Sequence, residues 1–212
     1  MIRYCFVLLI LLVSCKQGKK YHDEQVESQS SSAKIREIQK FHEEMDASFK
    51  DPETSPLPDR LRKNFEGLSF FKPDTAYQVL ARFERTPDAV PFLMPSTTDE
   101  KTIEVVYGIA HFELNGKQHQ LEIYQTPELI TDEKYADYLF LPFLDETNGE
   151  ETYGGGRYID LTIPEGDSIL IDFNKAYNPY CVYNKKYSCP LVPRQNYLRT
   201  KVRAGVKDFT KD

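Results

Sequence analysis

The sequence predicts a mainly β domain: an antiparallel barrel or sandwich of about six or seven strands, with one or two helices on its N-terminal side. Three observations lead there. Apolar residues recur at a period of two in several short runs after residue 74. Turn-forming stretches separate these runs, among them Asn115-Gly116 and the segment "PEGD" at 164–167. The one sustained period of 3.6 lies between Ala33 and Lys50, ahead of every strand-like run.

Length and charge set the frame. A chain of 212 residues buries one good core, so one domain with an appendage is the expectation. Its formal charge of -6, without any Lys/Arg cluster, argues against nucleic acid as a partner. Tryptophan is absent, so the aromatic interior must come from 14 Tyr and 13 Phe.

The first residues read as a targeting signal. Arg3 gives a positive start, and the apolar run from Phe6 to Val13 falls far short of the roughly 20 residues that span a bilayer. Leu12-Val13-Ser14-Cys15 then resembles a bacterial lipobox. Residues 1–14 are expected to be removed and Cys15 to carry lipid, which makes the membrane a partner through that anchor. Lys16 after the cysteine points to the outer membrane, with the domain facing the periplasm. Loss of Cys5 with the signal leaves Cys181 and Cys189 as one further pair, which outside the cytoplasm reads as a disulfide. Residues 15–32, rich in Ser, Gln and charge without apolar periodicity, read as a flexible tether, and 33–212 as a single β-rich domain.

The helix from Ala33 to Lys50 places Ile35, Ile38, His42, Met45 and Phe49 on one stripe. Ser31 or Ser32 is a suitable N-cap, and Asp51-Pro52 ends the helix. A short second helix is expected from Pro58 to Glu66, with Gly67 as its left-handed stop. In "TAYQVLARFE" the residues Tyr77, Val79, Ala81 and Phe83 share a strand face.

Asn115-Gly116 suits a type I′ turn, which pairs Leu114 with Lys117, Phe112 with His119, Ala110 with Leu121 and Gly108 with Ile123. Upstream the apolar set shifts to Ile103, Val105 and Tyr107, so a bulge is expected near Val106 to Gly108. "YLFLPFL" from Tyr138 reads as a buried strand, because its apolar run is continuous. Ile159, Leu161 and Ile163 point inward in the next strand, with Asp160 and Thr162 outward. Ser168 to Phe173 follows. The stretch from Lys175 to Pro193 is irregular, and a last strand is expected over Leu198 to Arg203.

From Phe140 onward the sequence resembles an uncharacterised bacterial "domain of unknown function" family, numbered 1684. The resemblance rests on "FLPFLDETNGEETYGGGRYIDL", "DFNKAYNPYC", "CPLVPRQNYL" and "RAGVK", with "GLSFFKPDTAYQVLARFE" upstream, and spans roughly residues 35 to 207. It implies a domain common in bacterial lipoproteins and implies no reaction.

The residues themselves exclude several chemistries. The glycines of "GEETYGGGR" lack the Lys-Ser/Thr of a phosphate loop, and a strand rather than a helix follows them. His111 and His119 face opposite ways in the hairpin register, so neither a shared metal nor a cofactor is expected. What remains is a polar concentration between 145 and 178. Successive glycine N–H groups at Gly154, Gly155 and Gly156, beside Arg157 and walled by Tyr153, form a candidate nest for a small anionic ligand, a glycan end or a peptide carboxylate. Asp172, Asn174 and Asn178 complete that candidate site. The second reading is a hydrolase with Glu151 or Asp172 as base and Arg157 as charge stabiliser. The structural alternative is that Arg157 pairs with a carboxylate to hold the turn, while Asn174 and Asn178 cap irregular backbone.

Overall fold

The computed structural model describes residues 20–209, with side chains from residue 31 onward. The signal segment, Cys15 and Lys16 lie outside the described residues. Helix α1 runs over Lys20–Lys50 and α2 over Asp59–Arg62. The strands are β1 (Gln78–Arg85), β2 (Phe92–Met94), β3 (Thr102–Leu114), β4 (Lys117–Gln125), β5 (Tyr138–Asp145), β6 (Arg157–Thr162), β7 (Ser168–Asp172) and β8 (Tyr197–Leu198). Six of them follow the order β6-β5-β4-β3-β1-β7 and curl into an antiparallel half-barrel. β2 pairs with the start of β3, and β8 runs parallel to the end of β5.

Local chemistry fixes the central hairpin. Asn115 and Gly116 both take positive φ, 53° and 70°, as a type I′ turn requires. The pairs Leu114–Lys117, Phe112–His119, Ala110–Leu121 and Gly108–Ile123 form as expected, and the register shifts between Val106 and Gly108. One face of the sheet carries the main core. Val79, Ala81 and Phe83 of β1 meet Phe112, Ile123, Leu141 and Ile159 there, and Phe173, Val202 and Ala204 close it.

The opposite face is also covered along β4 to β6, which a half-barrel open to water would not require, while Leu80 of β1 and Leu170 of β7 stay exposed on it. Met94, Tyr124, Phe140 and Tyr158 form a second apolar cluster, with Tyr138, Tyr177 and Val192 packed on it. This is why the run at Tyr138 lacks alternation: Leu139, Leu141 and Phe143 serve one core while Tyr138 and Phe140 serve the other. A third cluster joins Phe49 of α1 to Leu57, Val182 and Tyr183, and so fixes the helix to the irregular 175–193 segment.

Three elements differ from the sequence expectations. α1 begins at Lys20, within the stretch read as tether, and continues through Ser31 and Ser32. From Lys20 to Ser32 the chain contains neither Gly nor Pro, so nothing there interrupts a helix, whereas periodicity detects only the amphipathic part. α2 is a single turn after Pro58, and Gly67 is not among the residues with left-handed backbone. The last strand shrinks to Tyr197–Leu198, because a side chain, described next, takes the carbonyls downstream of it.

Candidate functional site

Arg157 opens β6 and points inward, fully buried. Its Nη2 donates to Asp145 Oδ2 at 2.9 Å and to the Val202 carbonyl at 2.8 Å. Nη1 donates to the carbonyls of Val206, at 3.2 Å, and Ala204. Asp145 is equally occupied, since its Oδ1 accepts from the amides of Thr147 and Val202 at 2.9 and 3.1 Å. Burial pulls the Arg157 pKa down and Asp145 pushes it back. The positive charge expected beside the glycines is therefore consumed inside the fold and does not face a ligand. The pairing with a carboxylate, weighed as the structural alternative, is what the chain adopts.

The glycines follow the same logic. Gly156 has φ of +94°, and a Cβ there would lie 2.7 Å from the Phe143 carbonyl and 2.6 Å from Val192 Cγ2. Only glycine brings the chain this close to β5 before β6 begins. A Cβ on Gly155 would strike the Tyr153 ring at 2.5 Å, so that ring lies over the glycine backbone. Asp172 accepts from Gln78 Nε2 and from both amide groups of Asn174. Asn174 in turn clamps Asp74 through its N–H and its carbonyl. Glu151 pairs with Arg203 at 3.0 Å. Among the described residues no hydrogen bond or ion pair links Glu151, Asp172 and Arg157, the trio of the hydrolase reading. Each already has its own partners.

Of the eight candidate ligand-site residues (Tyr153, Gly154, Gly155, Gly156, Arg157, Asp172, Asn174 and Asn178), Asn178 alone lines the main cavity. This space, of about 680 Å³, lies between α1, the start of β3, the outer face of β5 and β6, and the 175–190 segment. Phe41, Met45 and Phe49 of α1 supply one wall. Tyr138, Phe140 and Tyr158 supply the sheet wall, with Phe140 and Tyr158 edge to face at 4.8 Å. Tyr177, Tyr180 and Tyr187 close the third side.

Against these rings stand several hydroxyls and a few acceptor groups. Asp160 Oδ1 receives the hydroxyls of Tyr138 at 2.8 Å and Tyr177 at 2.6 Å. Burial, reinforced by the Asp160 charge, raises both phenol pKa values far above the ordinary 10, so both stay protonated donors. Glu104 is only 2% exposed, and its two oxygens accept from Thr126 Oγ1 at 3.0 and 2.9 Å. Burial raises its pKa, partly offset by the hydroxyls of Thr126 and Thr102. Asn178 Oδ1 is buried without a hydrogen-bond partner, while its Nδ2 donates to the Lys207 carbonyl at 3.0 Å.

Cys189 also lines the cavity. Both cysteines are free thiols in the structure, so the expected bridge is not formed there, but the Cys181 amide donates to Cys189 Sγ at 3.1 Å. Burial, with the neighbouring Cys181 thiol, pushes the Cys189 thiol up to about 12.

Sequence reasoning overlooked Glu104, which stands between Ile103 and Val105 and so occupies the position that alternation assigns to solvent. It assigned Asp160 to the correct face, but that face is the cavity. The available signal was the aromatic character of Tyr138, Phe140 and Tyr158 at positions where a wetted face carries polar residues.

Comparison with known proteins identifies a family and a solved relative. The model of a family described as "Protein of unknown function (DUF1684)" matches residues 63–207. A solution NMR structure of an uncharacterized protein from Haloarcula marismortui is 32% identical, with a TM-score of 0.64, over 87% of this chain and 97% of that one. No curated protein matches.

Proposed function

The chain belongs to the protein family of unknown function DUF1684, and from that premise we propose that it is a lipid-anchored envelope protein whose domain binds a small organic ligand between α1 and β5–β6. The cavity carries this reading. Its volume of about 680 Å³ lies within the range of small-molecule sites, and its walls are aromatic with a few fixed polar groups, as such sites require. The Gly154–Arg157 segment does not enter the reading, because its charge is neutralised internally.

The anchor rests on Leu12-Val13-Ser14-Cys15. No helix among the described residues is long and apolar enough to cross a membrane, which is compatible with attachment through lipid. In the oxidising envelope Cys181 and Cys189 would close a disulfide, favoured by their adjacency, at the cavity edge. Unfolded protein kept unreduced should then show no reactive thiol at these two positions, and finding two would remove the bridge.

Leu129 lines the cavity and is half-buried, so Leu129→Trp fills it from a short 3-10 turn outside the sheet. Nile red, a neutral apolar dye, should bind the wild-type domain saturably, and the variant should bind it about tenfold or more weakly. Equal binding by a folded variant would locate the site elsewhere.

A further inference from the structure

The charged groups on the cavity lining are mostly acidic, with Glu44, Glu104 and Asp160 against Lys175 alone. Glu104 is withdrawn from water with only hydroxyl partners, Asp160 is held by two tyrosines, and Asn178 Oδ1 has no donor at all. Among the described residues neither Glu104 nor Asp160 forms an ion pair. The single ammonium on the lining, Lys175 Nζ, is held by Glu37 at 3.1 Å. An anion entering this space would meet three carboxylates, Glu44, Glu104 and Asp160, and no free cation. A buried carboxylate lacking a positive partner costs free energy that such a partner would offset.

We propose that the cavity takes an organic cation, an ammonium-bearing molecule whose charge meets Glu104 and Asp160 and whose apolar body lies against the surrounding rings. This rests on the ligand-binding reading above and names its chemical class. Ring faces attract a cation through their quadrupole, and the attraction grows as water is excluded. Lys175 shows the geometry at the rim, where its Nζ lies 5.8 Å from the centre of the Phe41 ring. The charge of the ligand supplies the counter-ion that Glu104 and Asp160 lack. Hydroxyl groups of a neutral ligand would also donate, but would leave the Glu104 charge without a counter-ion.

The test uses three probes of one shape: 4-phenylbutylammonium, 4-phenylbutanol and 4-phenylbutyrate, titrated calorimetrically into the wild-type domain and into Glu104→Gln. The ammonium should bind the wild type about tenfold or more tightly than the alcohol, and the carboxylate weakest. Glu104→Gln, similar in shape but uncharged, should lose that preference while keeping the alcohol affinity. Binding of the alcohol with no advantage for the ammonium would overturn the cation assignment and leave the cavity reading intact. Failure of all three probes would overturn the cavity reading itself. Should Glu104→Gln not fold, Asp160→Asn, at an exposed position, takes its place, and an undiminished ammonium preference there would remove the charge role of Asp160.

Discussion

Arg157 shows how one residue changes meaning once its surroundings are known. In the sequence it is a cation beside three glycines. In the fold it satisfies a carboxylate and three carbonyls at once, with its guanidinium 5.2 Å from the centre of the Phe143 ring. Replacing it strands Asp145 as a buried charge and leaves the carbonyls of Val202, Ala204 and Val206 without donors. Arg157→Gln should therefore lose about 3–5 kcal/mol in urea unfolding, and Arg157→Lys a comparable share, because a point ammonium cannot span the same acceptors. Melting within experimental error of wild type would contradict the clamp. The pairing with a carboxylate was readable from the sequence. The burial was not, since the remaining partners are backbone carbonyls some 45 to 49 residues downstream, which leave no side-chain signature. Glu104 was hidden for a related reason: alternation tells which face a residue takes, not what covers that face.

Among the elements, the β3–β4 hairpin was legible to the individual pair, because the Asn-Gly turn and the apolar alternation select one register and any slip would turn the core face outward. The bulge before Gly108 was legible as a phase change. α1 was legible only where it packs. Its docking also carries a titratable contact: the His42 ring N–H donates to the Asn174 carbonyl at 2.8 Å, and the ring stacks on Phe70 at 3.8 Å. Burial lowers the His42 pKa below 6.5, against the opposing pull of that carbonyl and of Asp172 and Asp46. The fold thus favours the neutral ring, while the unfolded chain takes up its proton first. This contribution to stability is complete above pH 6.5 and is lost as pH falls through 6.5 toward the lowered folded value. Thermal unfolding at about pH 7.5 and about pH 5.5 should show a larger acid-induced drop for wild type than for His42→Phe, which cannot titrate. Equal drops would separate the helix contact from pH.

At the scale of the molecule, the β class, the antiparallel strands and the leading helix were all readable from periodicity and turns. The choice of an open half-barrel with both faces of β5 and β6 covered was not, because that cover depends on the irregular 175–193 segment, whose contacts follow no period. The proposed attachment makes its own prediction: Cys15→Ala should move the full-length protein from the membrane fraction to the soluble one, since one chain alone holds marginally and two hold well. An Ala variant that still pellets with membranes would remove the lipid anchor.

The clamp at Arg157 also has a consequence in time. A chain leaves the ribosome N-terminus first, so β1 to β7 emerge before the carbonyls of Val202, Ala204 and Val206 exist. During that interval an interior cation has nothing to neutralise it but Asp145, and the main core lacks Val202 and Ala204. The domain cannot complete itself progressively during synthesis. It must wait for residues 202–206, and a purified chain truncated before Val202 should remain open to protease over its whole length, whereas one extending past Val206 should resist.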